Sequence, residues 1–147
     1  MADALDHAAA LASDVEDLLQ ATGLLLRRLR SESNPGELTW SQFAALARLG
    51  KLGPATTADL ARAETVKPQS MGATLAALEQ AGFIERRPHP SDGRQVLFAL
   101  TEGGDAAWQE GRRLRRAWLG QALNQLNPAE REAVTGAAAV IRRLATS

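Results

Sequence analysis

The sequence predicts a mainly α-helical protein of six helices with one two-stranded β-ribbon. Three observations predict it. Apolar residues recur at helical spacing near both ends of the chain. A short helix, a tight turn and a longer helix occupy the middle. Directly after them, two short extended apolar runs flank a loop of turn residues. The chain has 147 residues, 45% hydrophobic and 23% charged, which suits a single core built without disulfides or metal.

The elements follow in order. Residues 5–30 read as one helix, with Leu11, Val15, Leu18, Leu25 and Leu29 on one face. Residues 31–36, with Asn34, Pro35 and Gly36, form a break. Thr39 caps a second helix, Trp40 to Leu49, whose Phe43, Leu46 and Leu49 point inward; residues 50–54 end it. Thr57 caps a short helix, Ala58 to Glu64, anchored by Leu60. A turn at Thr65 and Val66 leads into a fourth helix, Lys67 to Gln80. Pro68 lies in its first turn, where a missing N–H costs nothing, and Gly82 follows its end. Met71, Leu75 and Leu78 form its buried stripe.

The pattern then turns extended, with strands at 83–87 and 95–100 around the loop Pro88 to Arg94. Thr101 caps a long fifth helix, Glu102 to about Leu126. Asn127, Pro128 and Glu130 start the sixth, with a cap, a first-position proline and a glutamate reaching back. Val134, Ala137, Ile141 and Leu144 give this last helix an apolar stripe.

The middle of the chain has the outline of a helix-turn-helix followed at once by a ribbon, which is a winged helix. Opposite Met71, Leu75 and Leu78 lie Gln69, Ser70, Ala73, Thr74 and Ala77. This low-profile face, with donors and acceptors at its N-terminal end, suits a major groove about 12 Å wide. Gln69 is placed to read adenine, Ser70 and Thr74 to serve base edges or phosphates, and Lys67 to meet a phosphate. The ribbon carries Arg86, Arg87, His89 and Arg94, four potential cations in nine residues. An arginine-tipped loop fits a minor groove, where negative potential is focused. Asp92 would repel phosphate, so it reads as a clamp pairing with a nearby arginine. The candidate DNA-facing set is Thr57, Lys67, Gln69, Ser70, Thr74, Arg86, Arg87, His89, Asp92 and Arg94.

Net charge is zero, with 17 basic and 17 acidic residues, but its distribution is uneven. Residues 1–20 hold Asp3, Asp6, Asp14, Glu16 and Asp17 and no Lys or Arg, leaving a net +5 on the rest. These acids can face the Arg112–Arg116 cluster, within a subunit or across two. The amphipathic terminal helices expose more apolar face than a winged lobe of about 65 residues covers, so self-association is expected. Residues 1–36 and 102–147 are assigned to a helical dimerisation region and 37–101 to the winged lobe. Two-fold symmetry would set the recognition helices about 34 Å apart on an inverted repeat.

The run from Leu78 to Arg86, with Gly82, Phe83, Ile84, Glu85 and Arg86, carries a resemblance together with the run from His89 to Gly103. Asp92, Arg94, an apolar strand and a closing Leu100-Thr101 complete the pattern. The chain resembles the MarR (multiple antibiotic resistance regulator) family over essentially its whole length. The resemblance implies an obligate homodimer with interlocked terminal helices, residues 67–80 in the major groove and Arg94 of the Asp92–Arg94 wing in the minor groove. It implies repression, relieved when a small aromatic or phenolic acid binds between the dimer helices and the winged lobe. Many members carry Thr-Arg in mid-recognition helix where this chain has Gly72-Ala73. That departure throws base readout onto Gln69, Ser70 and Thr74, or onto the wing.

Trp40, Phe43, Trp108 and Trp118 are candidates to line an aromatic-ligand cavity, with Arg27, Arg28 or Arg112 to pair a carboxylate; ordinary core packing is the competing reading. The chain has no cysteine, which excludes thiol catalysis, thiol redox sensing and cysteine-ligated metal. No spacing supports a catalytic arrangement, a metal site or a cofactor. No apolar run approaches the roughly 18–20 residues that span a bilayer, and the acidic start is unlike a secretory signal. The expectation is a cytoplasmic, non-enzymatic regulator whose partners are double-stranded DNA and itself, with no membrane. The alternative is a winged-helix protein-interaction module that never touches DNA; residues 54–100, with five acids and five bases, are compatible with it.

Overall fold

The computed structural model of the chain describes residues 1–33 and 38–147. Its elements are α1 (Ala2–Ser33), α2 (Trp40–Leu52), α3 (Thr57–Glu64), α4 (Pro68–Gln80), β1 (Ile84–Pro88), β2 (Val96–Leu100), α5 (Glu102–Asn124) and α6 (Pro128–Ala145). Four helices, a ribbon and two helices follow one another as the sequence predicts. The expected break begins later, since α1 runs through Ser33, and the rest of it, with the 36/37 boundary, lies outside the described residues.

The caps explain the boundaries. Thr39 accepts the Gln42 N–H while the Gln42 side chain accepts the Thr39 N–H, and Asn127 and Glu130 do the same for α6. The short helix is capped by Thr56, not Thr57: the Thr56 side chain accepts from Asp59 and Thr57 becomes the first helical residue. Adjacent threonines look alike in sequence, and only the extended backbone of Thr56 decides between them. Thr65 then takes the left-handed conformation, φ 54°, unusual for a β-branched residue, and turns the chain sharply into α4.

α2, α3 and α4 converge on Phe43, Leu46, Leu60, Leu75 and Leu78, all fully buried. The ribbon is antiparallel, from Ile84 opposite Leu100 to Pro88 opposite Val96, so both strands start one residue later than expected. Ala55 pairs with Phe98 through two backbone hydrogen bonds of 2.8 and 3.0 Å, which fixes the foot of the ribbon to the start of the helix-turn-helix. Phe98 and Ile84 turn their buried faces to the core while the rest of β1 stays exposed.

α5 leaves the ribbon and crosses the lobe to reach α1. Its near face lacks side chains where contact is closest. A Cβ on Gly104 would lie 1.9 Å from the Phe83 carbonyl oxygen, and one on Gly111 2.2 Å from the Phe43 ring. Thr101 ties the junction: its hydroxyl donates to the Gly82 carbonyl at 2.7 Å and accepts the Gly104 N–H at 3.1 Å. Gly104→Ala should therefore destabilise the chain by about 1–3 kcal/mol or more, because backbone must move. Gly103→Ala, whose Cβ meets nothing closer than 3.8 Å, should cost little. Urea denaturation of the two variants measures the contrast.

Candidate nucleic-acid interface

The buried stripe of α4 fixes what its other face presents. With Met71, Leu75 and Leu78 in the core, Gln69, Ser70, Ala73 and Ala76 are exposed. Lys67 is the N-cap residue, exposed, with no side-chain capping bond and no ion pair among the described residues. Its ammonium is available beside the unsatisfied N–H groups of the helix start, a geometry suited to phosphate. Thr74 stands apart from this group. It is half-buried, its hydroxyl donates to the Ser70 carbonyl at 3.1 Å, and it lines a cavity of about 190 Å³ with Trp40, Glu64 and Met71. Thr57 is half-buried in the first turn of α3. A Cβ on Gly72 would meet nothing within 4 Å, so packing inside this chain does not require glycine there.

The ribbon's cations divide into two groups. Arg86 donates to Glu79 of α4 at 2.8 Å and lies over the Phe98 ring, 5.5 Å from its centroid. Arg87 pairs with Glu85 at 2.8 Å. Both are neutralised within the chain. Arg94 is exposed, and its guanidinium makes no ion pair among the described residues. Asp92 holds the loop, but not by the expected pairing with an arginine side chain. Its Oδ1 accepts the backbone N–H of Arg94 at 3.0 Å and its Oδ2 accepts the Gln95 side-chain amide at 3.1 Å. A carboxylate two residues before a free N–H closes a local turn with less ordering than a guanidinium partner needs. The Arg94 N–H and then the Gln95 amide hold the Asp92 carboxyl below its ordinary range. The anchor is therefore complete above the ordinary carboxylate range and is lost as pH falls through the depressed value. His89 is half-buried, with its ring turned into the same loop.

The candidate ligand residues are spread over several sites. Trp40 and Phe43 stack at 5.8 Å and line a cavity of about 230 Å³ on the α5 side of α2. Arg115, which sequence reading passed over within its arginine cluster, lies 5.0 Å from the Phe43 ring centroid and 5.9 Å from that of Trp40. Burial, and then neighbouring Arg112, lower its pKa, and it has no carboxylate partner among the described residues. Arg112, Arg115 and Arg116 line a second cavity of about 230 Å³ with Leu29 and Leu119. Trp108 is core, packed on Gly50 with Arg112 4.9 Å from its ring centroid. Arg28 lies over Trp118, and Arg27 is exposed. Among the described residues, Asp6, Asp14, Glu16 and Asp17 of α1 make no ion pair with the Arg112–Arg116 cluster within one chain. That cluster packs near Leu29, about 18 Å along the helix from Asp17 at 1.5 Å per residue.

A helix-turn-helix with a free lysine at the recognition-helix start and a free arginine at the wing tip is a winged-helix DNA-binding lobe. Comparison with known proteins agrees. The MarR family model matches residues 38–96. An HTH-type transcriptional regulator of Mycobacterium tuberculosis is 41% identical over 134 residues, covering 91% of this chain and 92% of that protein. An HTH-type transcriptional repressor of the same species is 33% identical over 117 residues, covering 78% and 84%. The crystal structure of wild-type MarR in its apo form from E. coli superposes with a TM-score of 0.71 at 26% identity, over 86% of this chain and 96% of that one. The chain belongs to the MarR family and is a helix-turn-helix transcriptional regulator.

Arg94→Ala should weaken binding to duplexes of many sequences and reduce the slope of log affinity against log salt by about 1, since one phosphate-directed cation is lost. Arg87→Ala should change both less. Fluorescence anisotropy across a salt series compares them.

Proposed function

We propose that the chain is a repressor that binds an inverted-repeat operator as a homodimer and is released by a small aromatic or phenolic acid. The observation that carries the DNA-binding part is an exposed Gln69–Ser70 end on α4 together with an exposed Arg94 in the wing loop that makes no ion pair among the described residues. Bidentate contact from Gln69 would select adenine, and Arg94 would hold the flanking minor groove. The repressor among its relatives supports the sign of regulation.

The terminal helices support the dimer. α6 buries none of its residues, and Val134, Val140, Ile141 and Leu144 stay exposed. α1 exposes Leu11, Val15, Leu18, Leu24 and Leu25. Burying each would contribute about 1.5–3 kcal/mol, a stabilisation a lone chain forgoes. A second copy also offers Arg142 and Arg143 as partners for Asp14, Glu16 and Asp17.

The effector reading rests on Arg115. A partly buried guanidinium against two aromatic rings, facing a cavity of about 230 Å³, suits a single-ring carboxylate.

Selection of bound duplexes from a random pool, followed by titration across salt, tests the central reading. An inverted repeat with half-sites about 10–10.5 bp apart is expected. Gln69→Ala should then cost about 1–3 kcal/mol and relax specificity at one position per half-site. Ile141→Asp should shift the protein to monomer in sedimentation equilibrium and abolish operator binding. Arg115→Ala should blunt release by salicylate while leaving operator affinity within about twofold. Failure of stripped, refolded protein to bind any duplex at low salt would put the protein-interaction reading in its place.

A further inference from the structure

His89 lies in the wing loop between Pro88 and Pro90. Its ring nitrogen Nδ1 is 3.2 Å from the backbone nitrogen of Ser91 and 3.1 Å from that of Asp92, with the Ser91 hydroxyl at 3.4 Å. Backbone N–H groups only donate, so Nδ1 must accept both, and the ring must be neutral with its proton on Nε2. Asp92, held this way, accepts the Arg94 N–H at 3.0 Å and the Gln95 side chain at 3.1 Å, and its carbonyl accepts the Gln95 N–H at 3.1 Å. The polar connections therefore run from ring to Asp92 to Arg94.

We propose that His89 is a positioning residue for DNA binding, a neutral imidazole clamp that folds the wing turn and thereby aims Arg94. The proposal rests on the DNA-binding reading above. A protonated ring would turn Nδ1 into a donor facing two donors, and both hydrogen bonds would be lost. The cation would also compete with the Arg94 N–H for the Asp92 carboxylate, the loop's one acid. The charged groups around the ring are few. Asp92 and Arg94 share the loop, Arg87 and Glu85 pair with each other on β1, Arg86 is held by Glu79 of α4, and β2 carries no charge. A proton on His89 thus unfastens the turn, and no second acid in the loop takes Asp92's place.

The sign of the effect is diagnostic. Added positive charge on a protein ordinarily tightens duplex binding as pH falls. Loss of the clamp does the opposite. Anisotropy titrations of the full chain against its selected duplex should show wild-type Kd rising about fivefold or more from pH 7.5 to 5.5. His89→Asn, whose carbonyl accepts the same N–H groups and does not titrate, should bind more tightly than His89→Ala at pH 7.5 and should not weaken at pH 5.5. His89→Ala should bind about fivefold more weakly at both. A second readout needs no DNA. In ¹⁵N NMR of the free protein, the ring should show the Nε2–H tautomer at pH 7.5, and the Ser91 and Asp92 amides should shift together with ring protonation. Wild-type binding that tightens at pH 5.5 as it does in His89→Asn, or amides that ignore the ring, would overturn the proposal. Absence of duplex binding in wild type and both variants would sink the DNA-binding reading and the positioning role with it, while the NMR titration would still decide whether the clamp exists.

Discussion

The close approach of α5 to the winged lobe is the contact on which the rest of the arrangement depends. The long helix must pass over the Phe83 carbonyl, the Phe43 ring and the end of α1 within its first ten residues. It does so by carrying Gly104 and Gly111 at the contacts, while Gly50 of α2 leaves room for Trp108 from the other side. Interiors pack at crystal-like density, so a methyl group at such a point cannot be absorbed silently. The Thr101 hydroxyl joins this seam to the C-terminal end of the recognition helix through Gly82. The orientation of α4 is thereby linked mechanically to the helix that reaches α1.

Electrostatics sharpen the functional face by subtraction. The chain is neutral overall, and its basic clusters look alike on a linear map. Folding pairs Arg48 with Glu64, Arg62 with Asp59, Arg86 with Glu79 and Arg87 with Glu85. Exposed pairs of this kind contribute little to stability, in general about 0–1 kcal/mol each. Their larger effect is to decide which cations remain for phosphate. Among the described residues of the lobe, Lys51, Lys67 and Arg94 are left without an ion pair, and two of these three lie at the start of α4 and in the wing loop. A net-neutral lobe is in this way compatible with a directed basic contact.

Local chemistry was legible in the sequence wherever it is written in adjacent residues. The caps at Thr39 and Asn127, the proline starts of α4 and α6, and the stripe Met71–Leu75–Leu78 all follow from spacing alone. What escaped depends on neighbours distant in the chain or on backbone angles. Glu79 neutralises Arg86 only because β1 folds back beside the end of α4. Arg115 looks like one more member of a solvated cluster until α2 brings Trp40 and Phe43 against it. Asp92 reads from the sequence as a clamp on an arginine side chain, and its acceptor role toward a backbone N–H is invisible in a string of side chains, as is the Nδ1 acceptor of His89. Thr74 shares a helical face with Ser70 on a wheel, but the lean of its side chain and the Ser70 carbonyl turn it toward α2.

α2 is the shared wall between the two halves of the proposed mechanism. Trp40 lines the cavity against Thr74 and Ser70 of the recognition helix, and it also lines the cavity that Arg115 faces. Arg30 of α1 lies 4.9 Å from the Trp40 ring centroid and Arg115 of α5 5.9 Å, so both flanking helices hold it through guanidinium contacts. A carboxylate that drew Arg115 away from the rings would remove a contact worth about 0.5–2 kcal/mol per subunit. Over two subunits that is about 1–4 kcal/mol, a change of roughly five- to several-hundred-fold in a two-state equilibrium between binding-competent and released forms. That range is sufficient for induction without any loss of fold. It also requires the effector to bind the released form more tightly by the same factor, because coupling between the two sites is reciprocal. Arg115 would supply that difference by leaving the Trp40 and Phe43 rings in the released form, where its guanidinium is free to pair with the anion.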